Sequence, residues 1–450
     1  MKLVIVGTGK VGETLVSEFV NENHDIVVVD VDQNTVSGVV NRYDVNGVIG
    51  GGLERTVLLD AGVDKADFLI ACTSRDEVNI LCSVLGKKLG AKHTIARVRD
   101  PEYFKEVDNM KDVLGLDYAF NPELATANEI VQVLKFPSAN TVDSFAKGRA
   151  VMVDFDILEG NPLIGQSLKE ISSSYGKKIL IAMVLRGEEV IIPHGDFVVE
   201  ENDNLHIIAS ETEITAFCKK LKIFKPRAKN VFVIGGGKIA YYLAQTLIAN
   251  GVNVKIVEKD EERAKELSAS LPKARVILAD ATEQEVLDEE NLKGCDACVT
   301  LTGMDEQNLI VSLYAKQSGV EKVVSKVDRQ SVLNMVKMLG LDTVVTPKSV
   351  IANQIIRFVR ASQTASGDGI NNLYKLHDKV EALEFTVSEK FPALNKKLKE
   401  IGIKKNVLVG GIVRGDEFIL PSGETEFVTG DKVIVVTAIS KIAELVQILN

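Results

Sequence analysis

The sequence predicts an α/β protein with two doubly wound parallel sheets, each followed by a small mixed α+β domain. A glycine-rich turn follows an apolar run twice, at residues 7–12 and at residues 235–240. Strand and helix patterns alternate after both turns, which is typical of parallel sheets with helical crossovers. Corresponding residues such as Arg186 and Arg414 lie 228 positions apart along the chain. We therefore expect one module that is repeated twice.

The elements of the first half follow from its apolar runs, which are rich in β-branched residues. We expect strands at 2–6, 25–30, 48–49, 68–73 and 94–98, and helices at 10–21, 33–43, 54–62, 76–89 and 101–115. Asn121 is a favourable N-cap and Pro122 a favourable first helical residue. A helix over 123–135 is therefore expected to cross out of the sheet, and its counterpart begins at Pro347.

The pattern changes near residue 150, where short strands alternate with turn residues. We expect strands at 152–158, 179–186, 189–192 and 204–208, with hairpin tips at 186–189 and 414–417. A basic linker over 219–229 is interpreted as a solvated connector, and docking to an anionic lipid or a protein partner is the alternative. The predicted segments are a first sheet domain at 1–120, a crossover helix at 121–145, a small domain at 146–222, a linker at 223–229, a second sheet domain at 230–345, a crossover helix and linker at 346–370, and a second small domain at 371–450.

Composition excludes several classes of protein. The net charge of −10 gives no basic footprint for nucleic acid. No apolar stretch approaches the roughly 20 residues of a membrane span, and no signal peptide is expected. The five cysteines form no disulfide framework, which suits a reducing compartment. Cys295 and Cys298 have metal-ligand spacing but lack a second ligand pair, so we interpret them as core cysteines and expect no metal.

The glycine motifs, in their strand–turn–helix context, predict two nucleotide sites of the Rossmann type. Gly7 permits the tight turn, Gly9 lets the backbone approach a pyrophosphate, and Gly12 lets the helix pack on the sheet. Lys10 and Val11 open the helix whose N–H groups would face the phosphates, and Asp30 would accept hydrogen bonds from ribose. The second copy consists of Gly235, Gly237, Lys238, Ile239, Ala240 and Glu258. A glycine turn without a ligand is the alternative.

The strand-end acids also predict which nucleotide is bound. Asp30 and Asp32 would repel a 2′-phosphate, so NAD(H) or ATP/ADP is favoured over NADP. The argument is weaker for Glu258, because Lys259 and Arg263 follow it.

Further candidate residues lie at the carboxyl ends of later strands, where such sheets bind ligands. Asp76 and Asp305 are either ligand contacts or helix caps, and Arg97 and Arg99 are expected to share a face and reach phosphates. The remaining candidates are Thr73, Ser74, Asn79, Thr302, Asn308 and Lys326, together with Asp280, Ala281 and Thr282, which align with Gly51, Gly52 and Leu53 in the first half.

These features together resemble the cytosolic nucleotide-binding subunits of Trk-type potassium uptake systems, which carry tandem regulator-of-potassium-conductance (RCK, or KTN) modules. The resemblance rests on the duplicated glycine motif, the strand-end acid, the Asp-Glu-x-Asn element, the Arg-x-Arg strand and the small trailing domain. It implies NAD(H) and ATP/ADP as gating ligands, a ring of chains (a homotetramer), and a potassium-translocating membrane partner. The chain would then be cytoplasmic, on the inner face of the plasma membrane. The family's Gly-Asp-x-Thr element is kept at Asp280 and Thr282 but not at Gly51 and Leu53.

An NAD-dependent oxidoreductase is the main alternative, and it usually needs a proton donor or acceptor near the nicotinamide. None of the five histidines has a counterpart in the other half or lies at a strand end that would face a nicotinamide. We therefore expect no catalytic residues. A nucleotide sensor that acts on a partner other than a channel is the third hypothesis.

Overall fold

The computed structural model describes residues 1–175, 178–341, 343–362, 369–377, 380–439 and 441–450. The chain forms two compact units, residues 1–127 with 346–356 and residues 128–345 with 357–450. Within the crossover helix and linker predicted at 346–370, residues 363–368 lie outside the described residues.

The first parallel sheet contains six strands, and each strand is followed by a helix. The strands are β1 (Lys2–Val6), β2 (Asp25–Asp30), β3 (Asn46–Ile49), β4 (Phe68–Ala71), β5 (His93–Arg97) and β6 (Tyr118–Phe120). The helices are α1 (Lys10–Asn21), α2 (Gln33–Tyr43), α3 (Arg55–Asp60), α4 (Asp76–Leu89), α5 (Pro101–Leu114) and α6 (Pro122–Lys135). The strand order is β3-β2-β1-β4-β5-β6, as in a doubly wound sheet. Every strand and helix predicted for residues 1–135 is present, and β6 is the one strand of this sheet that the sequence did not predict.

The apolar residues of these strands form the core between sheet and helices. Val4, Val29 and Leu69 pack with Leu58 of α3 in one buried cluster. Burial on both faces explains why the strands are nearly continuous apolar runs.

The first small domain is an antiparallel sheet with two helices. Its elements are β7 (Val142–Phe145), β8 (Ala150–Asp156), α7 (Leu168–Ser174), β9 (Leu180–Arg186), β10 (Glu189–Ile191), β11 (Asn204–Ala209) and α8 (Glu211–Lys220). The strand order is β10-β9-β11-β8-β7. Arg186 pairs with Glu189 across a two-residue turn, so the predicted hairpin tip is confirmed. β7, α7 and α8 were not predicted.

The second parallel sheet repeats the first. Its strands are β12 (Asn230–Ile234), β13 (Asn253–Glu258), β14 (Arg275–Leu278), β15 (Ala297–Thr300), β16 (Lys322–Lys326) and β17 (Val344–Val345). Its helices are α9 (Lys238–Ala249), α10 (Glu261–Ser270), α11 (Gln284–Glu289), α12 (Asp305–Gln317), α13 (Gln330–Met338) and α14 (Pro347–Ala361). The order β14-β13-β12-β15-β16-β17 is that of the first sheet.

The second small domain contains β18 (Ile370–His377), β19 (Val380–Thr386), β20 (Val407–Arg414), β21 (Glu417–Ile419) and β22 (Lys432–Thr437). The strand order is β18-β19-β22-β20-β21, and Arg414 pairs with Glu417 at the second predicted hairpin tip. The two small sheets share one hydrophobic core, in which Phe145 and Ile208 of the first meet Ala382 and Ile434 of the second. The two small domains therefore pack against each other through apolar side chains.

The basic linker over 219–229 begins inside α8, and Lys222, Pro226, Arg227 and Lys229 of its later part are exposed. Lys225 donates from Nζ to the carbonyl oxygen of Glu321 at 2.9 Å. Arg227 forms an ion pair with Glu211 of α8, and Ala228 is buried.

Candidate functional site

The first glycine turn lies at the carboxyl end of β1 and opens directly into α1. Gly7 has a φ of +98°, and a Cβ added there would lie 2.7 Å from the Thr73 nitrogen. A Cβ at Gly12 would overlap the carbonyl oxygen of Gly7, so this position holds the helix close to the turn. A Cβ at Gly9 would meet no atom within 4 Å. The backbone at Gly9 is therefore open to a ligand, with the N-terminus of α1 behind it.

Asp30 closes the same turn. Thr8 donates its backbone N–H and its hydroxyl to Asp30 Oδ2 at 2.7 and 3.0 Å. The Asp32 N–H donates to the other oxygen at 3.1 Å. A carboxylate has about four lone-pair directions, so these three bonds leave one for a ribose hydroxyl. Asp30 therefore also has a structural role that the sequence did not indicate.

The second turn repeats this geometry, although three of its six residues differ from those of the first. Gly235 has a φ of +94°, and a Cβ at Gly237 again meets no atom within 4 Å. Ala240, which replaces the third glycine, is fully buried. Glu258 accepts hydrogen bonds from the N–H groups of Gly236 at 2.6 Å and Asp260 at 2.9 Å.

Lys10 and Val11 open α1, and Lys238 and Ile239 open α9, so these four predicted residues lie beside the open glycines. The Lys10 side chain is exposed, and Lys238 is half-buried. Both lysines can therefore approach a phosphate that occupies the helix N-terminus.

Asn79 and Asn308 hold the loops after β4 and β15. Asn79 accepts from the N–H and hydroxyl of Thr73 at 2.8 and 2.7 Å, and donates to the carbonyl oxygens of Thr73 and Arg97. Asn308 makes the same four bonds with Thr302 and Lys326. Both side chains are fully buried and use all their hydrogen-bonding capacity. The sequence predicted that Asn79 and Asn308 contact the ligand. The structure corrects this prediction, because both side chains instead hold the loops in position.

The neighbouring hydroxyl groups are placed differently. Thr73 and Thr302 are partly buried by these bonds, whereas Ser74 is exposed at the loop surface. The Ser74 hydroxyl is therefore more accessible to a ligand than the Thr73 hydroxyl, which is donated to Asn79.

Asp76 and Asp305 are not helix caps. Asp76 accepts from the N–H groups of Arg99 and Asp100, both at 2.8 Å. Asp305 accepts from those of Asp328 and Arg329. Burial alone would raise the pKa of Asp305, but these bonds hold it below its usual value. Each aspartate therefore joins a helix start to the end of the next strand.

Arg97 and Arg99 share a face as predicted, but both face a carboxylate that sequence reasoning missed. Arg99 donates from Nε to Glu123 Oε1 at 2.7 Å, and Arg97 lies 3.9 Å from the same oxygen. Burial lowers the pKa of Arg97. Within the described residues, Arg97 Nε, Glu123 Oε2 and Asp76 Oδ1 are buried without a hydrogen-bond partner. The prediction that both arginines reach phosphates is therefore corrected, because both guanidinium groups face Glu123 instead. Glu123 directly follows Asn121-Pro122, and an acidic residue at this helix start could have indicated the pairing from the sequence.

The second site replaces this cluster with a different set of charges. Lys326 donates from Nζ to the carbonyl oxygen of Thr302 at 2.9 Å and lies 3.6 Å from Asp328. The two sites therefore present unlike charges at the same sheet edge.

The loops after β3 and β14 also differ. Gly51 donates its N–H to Glu54 Oε1 at 2.9 Å, and the Leu53 side chain is exposed. In the second loop, Thr282 donates its N–H and hydroxyl to Asp280 Oδ1 at 2.9 and 2.7 Å, and Ala281 is buried.

Other sequence expectations concern metals and membranes. Cys298 is buried in β15, and the described residues contain no group of three or more His, Cys, Asp or Glu able to hold a metal ion. Among these residues, no helix has both the length and the apolar character that crossing a bilayer requires.

Two family models each match the chain twice, once in each half. The TrkA-N domain model matches residues 3–122 and 231–347. The TrkA-C domain model matches residues 152–222 and 382–450.

Named relatives span nearly the full chain. The Trk system potassium uptake protein TrkA homolog of Archaeoglobus fulgidus is 31% identical over 450 residues and covers 100% of both chains. The Trk system potassium uptake protein TrkA of Halomonas elongata is 30% identical over 96% of this chain and 95% of its own.

Solved structures share the fold at low identity. The GsuK channel bound to NAD has a TM-score of 0.63 at 18% identity, over 98% of this chain and 77% of that one. GsuK bound to ADP has a TM-score of 0.52 at 15% identity, over 80% of this chain and 69% of that one. The sequence, the duplicated domains and the fold agree: the chain belongs to the TrkA family, with TrkA-N and TrkA-C domains in tandem.

Proposed function

We propose that this chain is the cytoplasmic, nucleotide-binding regulatory subunit of a Trk-type potassium uptake system. The proposal is carried by one observation, an open glycine turn beside a strand-end acid that recurs in two sheets of identical strand order. The names of full-length relatives support the assignment to potassium uptake. We assign the chain no catalytic step.

The proposed ligands are NAD(H) and ATP or ADP. Phosphates would lie against the N–H groups that open α1 and α9, beside Gly9 and Gly237. Asp30 and Glu258 would accept hydrogen bonds from ribose hydroxyls. The structures titled GsuK bound to NAD and to ADP support ligands of this class.

The proposed mechanism is a change in the conformation of a ring. The chains assemble as a homotetramer on the inner face of the plasma membrane, beneath a membrane-embedded potassium-translocating subunit. A ligand shifts such a ring only if it binds two conformations with different affinities. α6 and α14 connect each parallel sheet to the small domain that follows it, so they can transmit the shift. Because the charged residues differ between the two sites, each site would bind ligands of different phosphate charge with different affinity.

The test is potassium flux through liposomes that contain the Trk-type membrane subunit with this chain bound. We expect flux to differ between NAD⁺, NADH, ATP, ADP and no nucleotide. The control is the double variant G9D/G237D. Aspartate is a good N-cap and both positions have room, but its charge repels phosphate. This variant should support one flux value in all five conditions. Equal flux with the unmodified chain in all five would contradict the proposal.

A further inference from the structure

An apolar cavity of about 630 Å³ lies in the second unit, where the end of α6, α8, the basic linker and the end of α9 meet. Leu134 of α6, Ile214 of α8, Phe224 of the linker and Leu247 of α9 contribute to its wall. The second glycine turn lies at the opposite, N-terminal end of α9. The cavity is therefore separate from that turn, and what it binds does not depend on the proposed nucleotide sites.

The size and the wall of the cavity suit a small apolar ligand. Pockets of about 300–1,000 Å³ with mainly apolar walls are typical of small-molecule sites. Phe224 lines this cavity and is 40% exposed, although contact with water is unfavourable for its ring. A ligand that covers the ring would remove this surface from water.

The hydroxyl groups in the wall are already used by bonds within the chain. Ser138 donates to the carbonyl oxygen of Ile223 and accepts from the Lys225 N–H, both at 2.8 Å. Thr215 donates to the carbonyl oxygen of Glu211 at 2.9 Å. A polar ligand group placed against this wall would therefore lose its hydrogen bonds to water without full compensation. We expect the buried part of the ligand to be hydrocarbon.

The charged residues that line the cavity are all positive. Its described lining residues include Lys135, Lys225, Arg227 and Lys229 but no acidic residue. Arg227 pairs with Glu211, whereas the three lysines form no ion pair within the part of the chain that the structure describes. A cleft lined by charges of one sign concentrates ions of the opposite sign. The ligand is therefore expected to carry a negative head group.

We propose that this cavity binds a fatty-acid anion, with its acyl chain on the apolar wall and its carboxylate beside the lysines. Within residues 219–229, Phe224 is the only large apolar side chain that is exposed. One such side chain gives little apolar area for insertion into a bilayer, so we assign a soluble anion rather than a membrane surface. The bound chain would join the end of α6 to α8 and α9.

Calorimetry with decanoate, dodecanoate and tetradecanoate, each below its micelle concentration, tests the proposal. We expect one site per chain and an affinity that rises by up to about fourfold for each added methylene group. Decyltrimethylammonium, which carries the opposite charge on the same chain, should bind about tenfold or more weakly than decanoate. Absence of saturable binding, an affinity independent of chain length, or equal binding of the cation would overturn the proposal.

A first pair of variants tests the role of the lysines. K135Q/K229Q should weaken the binding of all three carboxylates by about tenfold and leave the gain per methylene group unchanged. K222Q/K273Q is the matched control, because it removes the same charge from two exposed lysines that do not line the cavity. Equal affinities in the two double variants would contradict the assigned position of the carboxylate.

A second pair tests the position of the acyl chain. T215F places a ring in the cavity and should remove the gain from dodecanoate to tetradecanoate, whereas A216F places the same ring on the exposed face of α8 and should keep it. Melting temperatures without ligand show that each variant is folded. An undiminished gain in folded T215F would overturn the proposal. Sedimentation with phosphatidylglycerol vesicles, without binding of soluble fatty acid, would also overturn it and would assign the linker to a membrane surface.

Discussion

At the scale of single residues, the sheet edge is built largely from polar side chains that hold backbone groups. Asn79 and Asn308 fasten the loops, and Asp76 and Asp305 join each helix start to the next strand. The sequence predicted that these residues gather at one edge, because strand ends in a parallel sheet meet there. The sequence could not predict which groups these side chains contact. Asn79 and Ser74 are both polar residues of one motif, but only the folded structure shows that Asn79 is buried and that Ser74 is exposed. Glu123 pairs with Arg97 and Arg99 only because the start of α6 lies beside the end of β5. No local sequence pattern specifies that position.

N79A should destabilise the first sheet and disorder the first site. The substitution leaves the Thr73 N–H and two carbonyl groups without their side-chain partner, at a cost of about 2–3 kcal/mol. Scanning calorimetry should show a lower melting temperature, and the first site should lose nucleotide affinity. N308A is the matched control, with the loss of affinity confined to the second site. A melting temperature unchanged by N79A would show that the bonds contribute little.

At the scale of elements, helix α6 has more than a connecting role. Its first turn contains Glu123, which accepts a hydrogen bond from Arg99 and lies near Arg97. Its middle contains Glu129, which is shielded from water. Burial raises the pKa of Glu129 to about 7 from an ordinary value near 4.5. Burial and the Glu129 charge also raise the pKa of Asp143 in β7. The sequence predicted the helix from its N-cap and proline, but the solvation of Glu129 depends on packing that sequence spacing does not reveal.

E129Q should make the stability of the protein less dependent on pH. Because the folded pKa lies above the unfolded one, the folded state binds more protons, and stability falls as pH rises from about 4.5 to about 7. The neutral amide avoids this loss of stability, which amounts to about 3 kcal/mol at pH 8 because one pKa unit corresponds to about 1.4 kcal/mol. Melting temperatures between pH 5 and pH 8 measure the effect. The exposed residue Glu289 supplies the control E289Q, which should behave like the unmodified chain. Parallel curves for E129Q and the unmodified chain would refute the explanation.

At the scale of the whole molecule, duplication gives two sheets of one topology and two small sheets with a common core. The constant spacing in the sequence predicted the repetition and both hairpin tips. It did not predict the shared core, because an apolar pattern shows which face is buried but not what covers it. The same duplication repeats the brace between Arg186 and Asp203 as Arg414 and Asp431. The repeats diverge at the sheet edge where we propose that nucleotides bind, and such divergence is expected if the two sites take different ligands.

The most direct test of two independent nucleotide sites is the calorimetric stoichiometry of ADP binding per chain. Gly9 and Gly237 are both open positions, so G9D and G237D should each close one site without disturbing the fold. We predict a value near two for the unmodified chain, near one for each single variant, and near zero for the double variant. A value near one for the unmodified chain, or a value that neither substitution changes, would contradict the account.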